Sequence, residues 1–150
     1  MNWDAIGAIS ELAAAAGVVA SLIYLARQIR QSNATDKLTA TLGIQTSFND
    51  VTRFLIDDEG TFAVLGDFEN LDRDEQYRLS AKLYALYGHI ELVYSHHQKG
   101  MIDGDQAKRT YSLLYWYRDR NGVKQWWELI GRDRFSSAFV AFVEGPEVTP

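Results

Sequence analysis

Three histidines, His89, His96 and His97, stand in the stretch GHIELVYSHHQ. They are the residues of this chain best suited to hold a metal or to move a proton near neutral pH. On one helix His89 and His96 lie about 10.5 Å apart along the axis, at 1.5 Å per residue, too far to share an ion. No His–His or His–Glu pair at i, i+4 spacing accompanies them. Glu91 and Ser95 share a face as an ordinary surface pair. His96 and His97 also suit the end of a helix, where a cation meets the negative pole of the dipole. Two acidic runs compete for attention. Asp57–Glu59 precedes Gly60 in an expected connection, where carboxylates are common. Asp103–Asp105 begins like a calcium loop but lacks the later ligands, including the bidentate Glu. There is no Gly-rich phosphate loop and no H-E-x-x-H. The chain has no cysteine, so thiolate chemistry and disulfides are excluded. The sequence thus names no catalytic residue, no metal ligand and no cofactor.

The elements that would position such groups are all helical. The chain has 150 residues, a length that suits one domain and is enough to bury a core without staples. Its formal net charge of -5 argues against a nucleic-acid partner, which would call for clustered Lys and Arg. Only two prolines occur, Pro146 and Pro150, so nothing before them is barred from helix. Four Trp, eight Tyr and seven Phe supply large apolar areas for a core or an interface.

Residues 8–31, AISELAAAAGVVASLIYLARQIRQ, raise the main structural question. Between Ala5 and Ala26 the only charged residue is Glu11. That length is close to the roughly 20 residues needed to cross a bilayer. Trp3 and Tyr24 would stand about 31 Å apart along a helix, as interfacial aromatics do. Arg27, Arg30 and Lys37 follow, so the positive-inside rule puts the N-terminus outside and the rest in the cytoplasm. Positive charge after the apolar run argues against a cleaved signal peptide. Ala and Gly give little transfer free energy, and a central Glu costs about 2.5–3.5 kcal/mol. Asp4, Gly7, Glu11, Ala14, Val18, Ser21, Leu25 and Gln28 form a heptad seam of mostly small or polar residues. Ala13, Gly17 and Ser21 add a small-xxx-small series on its flank. Gly7, Glu11, Ala14, Gly17 and Ser21 are therefore the expected partner-binding residues of an anchor helix. The alternative is an Ala-rich helix buried at the centre of a soluble bundle.

Downstream, a second helix from near Ser32–Thr35 to about Ile56 either starts afresh or continues the first. Leu38, Leu42, Phe48, Val51 and Leu55 give it an apolar stripe. A short turn of helix is expected within residues 57–72. Asp72 with Glu75 makes a capping box for a helix to about Lys99, ending at Gly100. Its apolar positions include Leu79, Leu83, Leu86, Ile90, Val93 and Tyr94. Asp103 or Asp105 caps the next, through about Tyr117. VKQWWELI is a short helix, and Ser136 or a neighbour caps the last, FSSAFVAFVE. The domains read as an anchor over 1–31, a helical domain over 32–145 and a tail over 146–150. Trp116, Trp126 and Trp127 are too many large aromatics, with Tyr111 and Tyr115, for so small a core to bury all of them. They form a candidate partner-binding patch, with Arg118, Arg120, Arg132 and Arg134 beside them.

The apolar segment ending LIYLARQIRQ, together with the closing GVKQWWELIGRDRFSSAFVAFVE, resembles a group of small uncharacterised bacterial proteins. These open with a LIYLA-x-QIRQ-like segment and close with an aromatic pair and an F-S-x-x-F-x-x-F run. The resemblance implies an anchor followed by a helical domain and supplies no activity. The expectation is an all-α fold: an N-terminal transmembrane helix followed by a small cytoplasmic helical bundle. Such a protein would be a non-enzymatic accessory or scaffold subunit in the bacterial inner membrane. Its partner would be an integral membrane protein, or a second copy of the chain. The alternative function is a soluble all-α bundle that binds a small ligand or a protein.

Overall fold

A computed structural model describes the backbone over residues 3–56 and 66–147 and the side chains over 11–12, 14–55 and 66–147. It is all-α, with no strand among the described residues. Helix α1 covers Trp3–Ile56, α2 Arg73–Gln98, α3 Gly104–Arg118, α4 Asn121–Trp126 and α5 Ser137–Glu144. A π turn, Trp127–Gly131, and a 3-10 turn, Arg132–Arg134, join α4 to α5. The acidic run Asp57–Glu59 and the turn of helix expected beside it fall mainly outside the described residues.

The chain divides into two compact units, Met1–Thr39 and Ala40–Pro150. The first consists of the N-terminal part of α1. No proline interrupts it. The helix runs unbroken through Gln31 and Ser32, so there is no second helix start. Ser21 and Thr35 donate their hydroxyls to the carbonyls of Gly17 and Gln31 at 2.9 and 3.1 Å, one turn back, and so do not cap anything. Among the described residues no helix is long and apolar enough to cross a membrane. The described residues thus support the all-α class and not the transmembrane helix expected at its start. Between Glu11 and Arg27 stand residues 12–26, fifteen in all and short of the roughly 20 that a span needs. The side chains of residues 5–10, which would lengthen the run, lie outside the described ones.

The second unit is built around α2. Its N-cap Asp72 accepts from the Glu75 amide at 2.8 Å, and Glu75 accepts from the Asp72 amide at 3.0 Å. This reciprocal box stabilises the first turn by about 1 kcal/mol. Gly100, with φ 66, ends the helical stretch in the left-handed region that glycine enters without strain. Leu79, Leu83, Leu86, Ile90 and Val93 alternate steps of four and three and are all buried. Asp103 caps α3 through the Gln106 amide, and Ala107, Tyr111, Leu114 and Tyr117 turn inward along it. From α1 this unit takes Ala40 and Val51 as buried residues, with Ile44 and Leu55 packed partly against the core. Leu38 and Leu42, expected on the inward stripe, are instead about 60% exposed.

An aromatic cluster closes the far end. Trp126 is fully buried and meets Tyr84 edge-on at 5.3 Å and Tyr87 at 5.4 Å. Trp127 stacks on Phe135 at 5.6 Å, and its indole N–H donates to Glu144. Glu91 on α2 accepts from the Ser136 amide and hydroxyl at 2.9 and 2.6 Å, which fixes the start of α5. Arg118 donates to the carbonyls of Val143 and Gly145, tying α5 back to α3. The π turn places Gly131 against the Trp126 ring, where a β-carbon would sit 2.8 Å from a ring carbon. Neither group has room to give. Gly131→Ala is therefore expected to cost about 1–3 kcal/mol through overpacking. Chemical denaturation of the variant against the parent checks this, and an unchanged midpoint would contradict the packing described.

Candidate functional site

The second unit contains a cavity of about 380 Å³ between the C-terminal part of α1, α2 and α3. That volume lies within the range of small-molecule sites. Its apolar walls are Ile44 and Phe48 from α1, Val93 from α2, Ile102 from the α2–α3 turn and Leu113 from α3. Ile44 and Phe48 face it because they sit one turn apart on the helix side next to the buried Val51. Gln106, Arg109 and Leu113 line the opposite wall at helical spacing, with Thr110 beside them.

The polar centre of this cavity is His89. It is 3% exposed, sits on the inward face of α2 between Leu86 and Ile90, and leans on the Phe48 ring at 5.7 Å. Its Nδ1 lies 3.0 Å from the Ser47 hydroxyl on α1. Its Nε2 is buried and has no hydrogen-bond partner in the protein among the described residues. An imidazole nitrogen left unpaired in a buried setting costs about 1–3 kcal/mol. Burial also disfavours the imidazolium, so the pKa of His89 is held below the usual 6.5.

The other two histidines are elsewhere. His96 donates from Nδ1 to the Leu92 carbonyl at 2.8 Å, and His97 pairs with the Tyr111 hydroxyl at 3.1 Å. Burial pushes the Tyr111 phenol up to about 12, so that hydroxyl stays protonated across the physiological range. No group of three His, Asp or Glu side chains among the described residues is placed to hold a metal.

The sequence-predicted partner residues fall in three places. Glu11, Ala14, Gly17 and Ser21 are exposed on α1, while the Gly7 side of the seam lies outside the described side chains. A β-carbon on Gly17 would meet nothing within 4 Å. Trp116 is 53% exposed, with the Arg120 guanidinium 4.5 Å over its ring. Trp126 and Trp127 are 0% and 8% exposed, so the expected three-tryptophan surface patch is corrected to one tryptophan. The reason is the turn after α4: it points both indoles at Tyr87, the side chain they share on α2. Neither Ser47 nor Arg109 was a candidate from sequence. A hydroxyl forty-two residues from its histidine gives no local signal.

Comparison with known proteins returns no match to any family model, to any curated protein or to any solved structure.

The lowered His89 pKa has a sign. As pH falls below about 6.5, the unfolded chain takes up a proton at this position before the folded one does. Stability is thus expected to be level above pH 7 as far as this group is concerned, and to decline as pH falls below 6.5. His89→Phe removes that part of the decline. Urea denaturation of both proteins between pH 5 and 8 checks it, and parallel pH profiles would contradict it.

Proposed function

We propose that this chain is an all-α binding module whose second unit takes a small, largely apolar ligand in the cavity at His89. The observation that carries this reading is the unpaired, buried Nε2 of His89 in a cavity of ligand size whose walls join apolar side chains to a few polar ones. A few oriented polar groups among apolar walls are suited to fix the pose of a ligand. In this reading the protein binds and does not catalyse. The probe is N-phenyl-1-naphthylamine, a neutral apolar dye. It is expected to bind the full chain at one site with enhanced fluorescence. Leu113→Trp, which fills the cavity from its half-buried α3 wall, should weaken the dye at least about tenfold with the fold retained by circular dichroism. Absence of dye binding, or binding indifferent to Leu113→Trp, would remove the reading.

A second reading is favoured by the first unit. Leu12, Val18, Val19, Leu22, Ile23, Tyr24, Leu25 and Ile29 are each more than half exposed on α1. Exposed apolar surface on that scale marks contact with another apolar body. It supports an accessory or scaffold role in which α1, through Glu11, Ala14, Gly17 and Ser21, docks an integral membrane protein or a second copy. The likeness of both ends of the chain to small bacterial proteins with an N-terminal apolar segment fits an inner-membrane setting. Gly17→Leu should leave the helical content unchanged and release the protein from the membrane fraction. Recovery of both parent and variant in the detergent-free supernatant would dismiss the membrane arm.

A further inference from the structure

The chain carries 20 Asp and Glu residues against 15 Lys and Arg, yet no carboxylate among the described residues lines the cavity at His89. Its one charged lining residue is Arg109. Arg109 is exposed at the cavity edge and forms no ion pair among the described residues. Asp105, one turn earlier on α3, is not among the lining residues. An acidic protein that keeps acids out of its cavity and leaves an arginine there has a site biased toward anions. The walls are mainly aliphatic and aromatic, so the anion must carry an apolar body.

His89 sharpens the chemistry. Ser47 holds its Nδ1 at 3.0 Å, and a hydroxyl donating there leaves the ring proton on Nε2. The buried, unpartnered Nε2 then presents an N–H. One guanidinium and one neutral N–H match a singly charged planar group. A phosphate dianion would need more positive charge than the one arginine of this lining provides.

We propose that the cavity binds a small organic monocarboxylate with an apolar body. Its carboxylate pairs with Arg109 and accepts the Nε2 hydrogen of His89, while its chain lies against Ile44, Phe48, Val93 and Leu113. This assignment rests on the ligand-binding reading above and goes beyond it by naming the chemical class.

The test displaces N-phenyl-1-naphthylamine from the full chain at pH 7.5 with octanoate and, separately, with 1-octanol. Charge-assisted hydrogen bonds favour octanoate by about tenfold or more. Arg109→Gln should abolish that preference, with displacement read against the dye affinity measured for that variant. His89→Phe should reduce it, and His89→Gln, which keeps a side-chain N–H, should restore part of it. Equal displacement by acid and alcohol, with the dye still bound, overturns the carboxylate assignment and leaves the ligand-binding reading standing. A preference that survives Arg109→Gln overturns it as well. Failure of the dye itself to bind overturns the ligand-binding reading and this assignment with it.

Discussion

The second unit depends on how a histidine is accommodated on the apolar face of α2. His89 lies in the register of Leu86, Ile90 and Val93, so the helix cannot bury those residues without burying the imidazole too. A buried imidazole needs a partner, and Ser47 on α1 supplies it. That bond sets where the C-terminal part of α1 meets α2. Phe48, the next residue, is then carried against the ring. Because one nitrogen is satisfied and the other is not, α1 and α2 meet around a polar point and a space rather than a filled core. The cavity follows from that constraint, with α3 closing it.

The opposite end of α2 shows the contrasting solution. There Tyr84 and Tyr87 meet Trp126, Trp127 and Phe135 ring against ring. Fully burying side chains of this size contributes about 1.5–3 kcal/mol each. The π turn brings two adjacent indoles onto one side, and it requires the absence of a side chain at Gly131. Gln125 accepts from the Phe68 and Glu69 amides at 2.7 and 3.3 Å, and Gln76 donates to the Phe68 carbonyl. Those bonds hold the segment before α2 onto α4. One end of the unit is therefore built on ring contacts, and the other on a histidine beside a cavity.

Local chemistry was legible in the sequence, and distant chemistry was not. The Asp72–Glu75 box, the Asp103 and Ser136 caps, the stop at Gly100 and the α2 stripe are read from residues within one or two turns of each other. Leu38 and Leu42 misled because a long helix presents apolar residues on more than one side, and spacing alone does not say which side is covered. Trp126 and Trp127 misled for a different reason. The number of large aromatics suggested more than so small a core could bury, but the turn after α4 brings both indoles onto Tyr87. His89 stood out by type and spacing, yet its partner Ser47 and the arginine across the cavity belong to other helices. Only the tertiary fold joins them.

The two units present two kinds of unmatched chemistry: apolar surface along the first part of α1, and in the second unit a buried, unpartnered imidazole nitrogen in a cavity that an arginine also lines. The central claim concerns the latter. It is tested most directly by side-chain nitrogen NMR of the three histidines while octanoate is added to the full chain. The account predicts that free His89 is a neutral imidazole protonated on Nε2 at pH 7.5. It also predicts that its Nε2 resonance moves in step with the added octanoate, while those of His96 and His97 stay in place. An Nε2 signal for His89 that does not move at saturating octanoate would contradict it.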